Sequence, residues 1–129
     1  MKPGTDSQET AMVRVMVVED HEDLRHLLVS KIDREPDLQV VAQAESVGEA
    51  RQQASSMNCD VAILDTRLPD GYGADLIAEL RELCPGMAVV ILSASMHSAS
   101  LRRAHRAGAD EVMDKLDALE EIADAIRRV

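Results

Sequence analysis

Five side chains that could do chemistry together each stand where an apolar run stops. Asp65 ends Val61-Ala62-Ile63-Leu64-Asp65, and Thr66-Arg67-Leu68-Pro69-Asp70-Gly71 follows with a turn enforced by Pro-Asp-Gly. Glu19 and Asp20 follow the run MVRVMVV, Ser93 follows MAVVIL, and Lys115 follows EVMD. A buried strand that delivers one acid to its C-terminal end is how an open α/β sheet builds a site, because ligands bind beyond the carboxyl ends of the strands. On its own stretch Asp65 has two readings, a site carboxylate or the first residue of a loop. If Glu19, Asp20 and Asp65 converge, they repel and raise one another's pKa unless a cation joins them. Mg²⁺ is the hard cation that accepts one or two carboxylates, keeps waters and awaits phosphate oxygens. A metal, the Ser93 hydroxyl and the Lys115 ammonium around one carboxylate would suit a phosphoryl group held on that carboxylate.

The elements that must position these groups are legible from periodicity. Met12 to Val18 is a β-branched run and predicts a strand; Leu24, Leu27, Leu28 and Ile32 recur at helical spacing, and Pro36 closes that helix. Leu38 to Ala44 predicts a second strand. Ser46 and Glu49 form a capping box ahead of a helix with apolar positions Val47, Ala50, Ala54 and Met57. Val61 to Asp65 is the third strand, an unbroken apolar run of the kind buried on both faces. Leu76, Ile77, Leu80 and Leu83 mark a third helix ended by Pro85-Gly86, and Met87 to Leu92 a fourth strand. A fourth helix over Ser98 to Ala107 stops at Gly108, Glu111 to Asp114 is a short fifth strand, and Asp117 caps a last helix burying Leu119, Ile122, Ala123 and Ile126. Strand and helix alternating five times predicts right-handed crossovers and a parallel sheet covered on both faces. The expected fold is α/β, a flavodoxin-like (βα)5 three-layer sandwich with strand order 2-1-3-4-5. Its switch point lies between strands one and three, which sets Glu19-Asp20 beside Asp65.

Composition bounds the function. The chain of 129 residues is one domain, with residues 1–11 (MKPGTDSQETA) expected as a disordered tail and 12–129 as the folded unit. Tyr72 is the lone aromatic, so the core must be built from Val, Ile, Leu, Ala and Met. A formal charge of −10 argues against direct nucleic-acid binding. Cys59 and Cys84 lack metal-ligand spacing and read as reduced thiols. Neither a signal peptide nor an apolar run near 18 residues is present, which predicts a cytoplasmic protein with no membrane partner.

From about residue 12 to 129 the chain resembles the receiver domain of bacterial two-component response regulators, the CheY-like superfamily, in its elements VVED, LDTRLPDGYG, ILSAS and GADEVMDK. The resemblance implies that Asp65 accepts phosphate from a histidine kinase or phosphotransfer protein. It implies that Asp20 binds Mg²⁺ directly, that Glu19 acts on the metal through water, and that Arg67 lends its backbone carbonyl. Ser93 and Lys115 would contact the phosphoryl oxygens, and Ser93, Ala94 and Val112 would form the switch region. Beyond self-catalysed phosphorylation and dephosphorylation, no enzyme activity is implied. LPDGYG, ILSAS and a lysine not followed by Pro are most similar to receivers of the NarL/LuxR type. Those precede a helix-turn-helix domain and none occurs before Val129, so DNA is expected as a partner only through an output domain absent from this chain.

Three positions depart from the family pattern: Leu116 follows the lysine where many members have Pro, Val112 stands where an aromatic often rotates, and the first acid is Glu19. A trans Lys115–Leu116 peptide is expected, since a non-proline cis bond costs roughly 2.5–4 kcal/mol. Without an aromatic toggle, the signal is expected to travel through the fourth helix, whose Arg102, Arg103 and Arg106 could pair with Glu120, Glu121 and Asp124 in one molecule or across a homodimer. Glu22 and Asp23 suit a helix N-terminus. His21, His26, His97 and His105 read as solvated, Tyr72 as an exposed turn residue, Asp70 as shaping its own turn, and Ser95 as a helix cap or site residue. Two other classes compete. A haloacid-dehalogenase-like phosphatase needs an acid two residues after its nucleophile, and here that position is Arg67. A pseudo-receiver that only binds partners would not need Asp20, Asp65, Ser93 and Lys115 together. A flavin-binding flavodoxin is disfavoured by the acidic first strand-helix turn.

Overall fold

A computed structural model describes residues 12–94 and 97–129, with Ser98 described by its backbone alone. The tail at 1–11 and the reading of Ser95 lie outside the described residues. The elements follow in strict alternation: β1 (Val13–Val18), α1 (Glu22–Asp33), β2 (Leu38–Ala44), α2 (Val47–Ser56), β3 (Val61–Asp65), α3 (Gly73–Leu83), β4 (Ala88–Ser93), α4 (Ser98–Arg106), β5 (Glu111–Asp114) and α5 (Lys115–Arg128). The five strands form one parallel sheet of order β2-β1-β3-β4-β5, the flavodoxin-like arrangement expected. A feature with no sequence forewarning is a short antiparallel ladder in the loop after β3, pairing Arg67 with Tyr72 and Leu68 with Gly71.

Period-two alternation sorts the strand side chains into two cores. Met16, Val18, Ala62, Leu64, Val89 and Ile91 face α2 and α3. Val15, Val17, Ile63, Val90 and Leu92 face α1 and α5, whose Leu28, Ile32, Ala118, Ile122 and Ile126 close that side. Among the described residues the core is aliphatic and Met-containing, as the near-absence of aromatics requires. The register Val18↔Leu64, Asp65↔Leu92 and Ser93↔Asp114 brings the carboxyl ends of β1, β3, β4 and β5 to one edge.

Local departures have plain causes. Leu27 is 54% exposed because Arg25, Leu28 and Ile32 occupy the buried face of α1. Met57 and Leu83 are exposed too: Met57 lies beyond the end of α2, and Cys84 takes the buried place next to Leu83. The cap of α5 is Asp114, whose carboxylate accepts from Leu116 N at 2.9 Å; Asp117, expected as the cap, sits within the first turn. The capping box at α2 is shifted. Ser46 Oγ accepts from Glu49 N at 3.1 Å, while Glu49 Oε1 accepts from Glu45 N at 2.9 Å, one residue earlier than a closed box would have it. Gly108 after α4 has φ +95°, the left-handed value its terminating position anticipates.

Candidate functional site

Asp65 is the last residue of β3, and every residue of that strand is buried. Its neighbours are the ends of β1 and β4, so the topology sets Glu19 and Asp20 on one side of it and Ser93 on the other. One carboxylate oxygen from each of Glu19, Asp20 and Asp65 lies within 4.8 Å of the other two. Lys115, the first residue of α5, reaches across: its Nζ donates to Asp65 Oδ2 at 2.9 Å and lies 2.9 Å from Glu19 Oε1. Above them opens a cleft of about 480 Å³, lined by Asp20, Asp65, Ser93 and Lys115 with Thr66, Arg67, Tyr72, Ala94, His97 and Ser100. Glu19, Asp65 and Ser93 are buried while Asp20 stands exposed at the rim.

The electrostatics follow from two buried carboxylates sharing one ammonium. Burial pushes the Asp65 carboxyl up to about 7, Lys115 pulls against it, and the Glu19 charge adds to the rise. Burial opposes the Lys115 ammonium, yet its hydrogen bond to Asp65 and the nearby Glu19 carboxylate outweigh this and hold its pKa above the ordinary value. Glu19 Oε2 accepts from His21 N at 2.9 Å, but the fully buried Oε1 has only the ion contact with Lys115, outside hydrogen-bonding geometry. An all-oxygen donor set with an unsatisfied buried carboxylate oxygen fits a hard divalent cation.

The loop that follows Asp65 is tied down at several points. Thr66 donates twice to Leu92 O, from its backbone N at 2.8 Å and from Oγ1 at 2.7 Å. Gly73 N donates to Thr66 O at 3.0 Å, and a Cβ on Gly73 would stand 2.1 Å from the Asp65 carbonyl oxygen, so only glycine allows α3 to start there. Asp70 does more than stand in its own turn. Its carboxylate accepts from Val47 N at 2.7 Å and Gly48 N at 3.0 Å, which ties the loop to the N-terminus of α2 and lowers its pKa. Tyr72, expected on an exposed turn, is half-buried: the Arg103 guanidinium lies 4.3 Å from its ring centre and that of Arg67 5.6 Å.

Arg103 also pairs with Asp75 at 3.3 Å, which ties α4 to α3; on the acidic face of α5, Asp124 pairs with Arg127 at 3.5 Å. His21 is less idle than a solvated histidine, since its Nδ1 accepts from Leu24 N at 3.3 Å and caps α1. The described residues contain no cis peptide, and Leu116 projects into solvent at 89% exposure. Val112 is half-buried against the α2–α3 core, and Ala94 is exposed. Cys59 and Cys84 are free and buried, and burial raises the Cys59 thiol to about 11.

Comparison with known proteins decides the family. A family model described as the response regulator receiver domain matches residues 15–127. The chain belongs to the response regulator receiver family. Among curated relatives, the DNA-binding transcriptional activator DevR/DosR of Mycobacterium tuberculosis is 37% identical over 118 residues, covering 92% of this chain and 54% of that protein. The response regulator protein VraR of Staphylococcus aureus is 28% identical over 116 residues, covering 90% and 56%. This receiver thus spans about half the length of the curated relatives it matches. The signal receiver domain of the putative response regulator NarL from Mycobacterium tuberculosis superposes with a TM-score of 0.84 at 29% identity, over 91% of this chain and 94% of that one. A LuxR-family two-component response regulator from Aurantimonas superposes at 0.83 with 28% identity, over 91% and 84%. The receiver is thus most like receivers of the NarL/LuxR type. Among the described residues no helix is long and apolar enough to cross a membrane.

Arg25 and Gly73 are the parts of this site that motif reading missed. Gly73 had a signal, a glycine where a helix must begin beside a strand end. Arg25 had none, because a single arginine on an amphipathic helix reads as solvated.

Proposed function

We propose that this receiver accepts a phosphoryl group on Asp65 from the phosphohistidine of a histidine kinase or phosphotransfer protein, and that the phosphorylated form controls a partner or a DNA-binding output domain. The observation that carries the reading is the Asp65 carboxylate lying within 4.8 Å of Glu19 and Asp20 while bonded to Lys115 at 2.9 Å. Mg²⁺ would be held by Asp20, Asp65 and the Arg67 carbonyl, with Glu19 acting through water, and would supply charge neutralisation for incoming phosphoryl oxygens. An Asp65 oxygen attacks phosphorus, the P–N bond breaks, and the imidazole nitrogen leaves with the electron pair. Lys115 then exchanges part of its contact with Asp65 for a phosphoryl oxygen, and Ser93 donates to another. DevR/DosR carries the name of a transcriptional activator, which supports a transcriptional output reached through this domain, in the cytoplasm.

The test is acetyl phosphate with Mg²⁺ followed by intact-protein mass measurement. Wild type gains one phosphoryl mass, and Asp65→Asn gains none because an amide is not the nucleophile. Label that persists in Asp65→Asn places the acceptor elsewhere.

A further inference from the structure

Arg25, on α1, is a charged side chain outside the carboxylate–lysine cluster and yet only 7% exposed. Burying a guanidinium is costly unless it is well paired. Its carboxylate contact, Glu45, lies 3.7 Å away with a side chain 54% exposed. Its shorter bonds go elsewhere: Nη1 donates to the Glu19 carbonyl at 3.0 Å, and Nε to Gln43 Oε1 at 3.3 Å. The Glu19 carbonyl belongs to the peptide that joins Glu19 to Asp20, and that peptide is a rigid plane. On its other side Glu19 N donates to Ala44 O at 3.0 Å. The backbone is thus clamped on both sides of Glu19, at the point where β1 hands over to the site.

The two acids depend on this clamp unequally. The Glu19 carboxylate is held by His21 N and Lys115. Among the described residues, the Asp20 carboxylate has no hydrogen-bond or ion-pair partner, so its direction is inherited from the backbone. We propose that Arg25 is a positioning residue for the cation site: through the Glu19 carbonyl it fixes the peptide that aims Asp20 at Asp65. The inference rests on the reading of the acidic cluster as a Mg²⁺ site.

Charge and position predict opposite signs, which makes the inference testable. A guanidinium near the site repels a cation, so losing its charge alone would tighten Mg²⁺ binding. Losing the clamp would weaken it, and removing outer partners of metal ligands typically costs roughly 10- to 100-fold in affinity. The experiment is Mg²⁺ titration by calorimetry on wild type, Arg25→Met, Arg25→Lys and Asp20→Asn, with far-UV circular dichroism to establish that each is folded. The expected result is Mg²⁺ binding about 10-fold weaker in Arg25→Met, with Arg25→Lys between it and wild type. Lysine retains the charge but has a single donor nitrogen in place of the separate Nη1 and Nε that reach Glu19 and Gln43. Unchanged or tighter binding in folded Arg25→Met overturns the inference. If Arg25→Met does not fold, unchanged affinity in Arg25→Lys overturns it instead. Asp20→Asn separates the two levels: affinity lost there but kept in the Arg25 variants refutes the clamp alone, and affinity kept in Asp20→Asn refutes the metal site and the clamp with it.

Discussion

Replacing Asp65 by asparagine should make the metal-free protein more stable at neutral pH, although it destroys the proposed function. Glu19 and Asp65 are both buried and share the single Lys115 ammonium, so one carboxylate's charge is uncompensated. The Asp65 carboxyl is correspondingly pushed up to about 7. Because the folded state binds this proton more tightly than the unfolded chain, stability falls as pH rises from about 4 to 7 and is flat above that range. The full shift corresponds to about 4 kcal/mol. The carboxylate opens on a wet cleft, however, and screening reduces the expected gain to roughly 1–2 kcal/mol. For a domain of this size that is a rise in Tm of roughly 4–8 °C. The assay is urea denaturation of wild type and Asp65→Asn in chelator at pH 8 and again near pH 4.5. Asp65→Asn should be the more stable at pH 8, and the difference should shrink at the lower pH, where wild-type Asp65 is protonated. Saturating Mg²⁺ should then stabilise wild type more than the variant, since the ion binds the folded form of the intact site. A variant equal to or less stable than wild type at pH 8 would refute the reasoning, as would a gain that does not depend on pH.

Two further outcomes follow from contacts around the loop after β3. Asp70→Ala frees the amides of Val47 and Gly48, so it should lower the urea midpoint and shift both amide resonances; the effect should fade as pH falls through the depressed Asp70 pKa, and persistence below that pH would contradict the assignment. Among the described side chains of α4 only Ala104 is buried, and Arg103 holds the helix to Tyr72 and Asp75. Tyr72→Ala should remove an exposed cation–π contact of about 0.5–1 kcal/mol and speed amide exchange over residues 101–104 roughly 2- to 5-fold, with β3 unchanged. No change in α4 exchange would show that the stack does not hold the helix.

The sheet and the acid cluster were legible because both depend on local pattern plus one topological rule. An unbroken apolar run as short as Val61–Leu64, closed by a Pro-Asp-Gly turn, is too short for a helix and suits a strand buried on both faces. Five strand-helix alternations with right-handed crossovers then leave few ways to order the sheet, and any of the flavodoxin kind puts Glu19 and Asp20 beside Asp65. What tertiary structure alone decided are contacts between side chains and backbone groups far apart in the chain. Asp70 reads as a turn residue, yet two amides of α2 point at it, and amide direction is set by how α2 docks. Tyr72 reads as exposed until α4 lays Arg103 across its ring. Arg25 reads as one more charge on an amphipathic helix, and becomes buried because β1 presents the Glu19 carbonyl where the helix packs. Hydrophobic period records which face of an element is covered. It carries no record of which polar group on the covering element waits there, because one hydrogen bond can be made by many residues at many sequence separations.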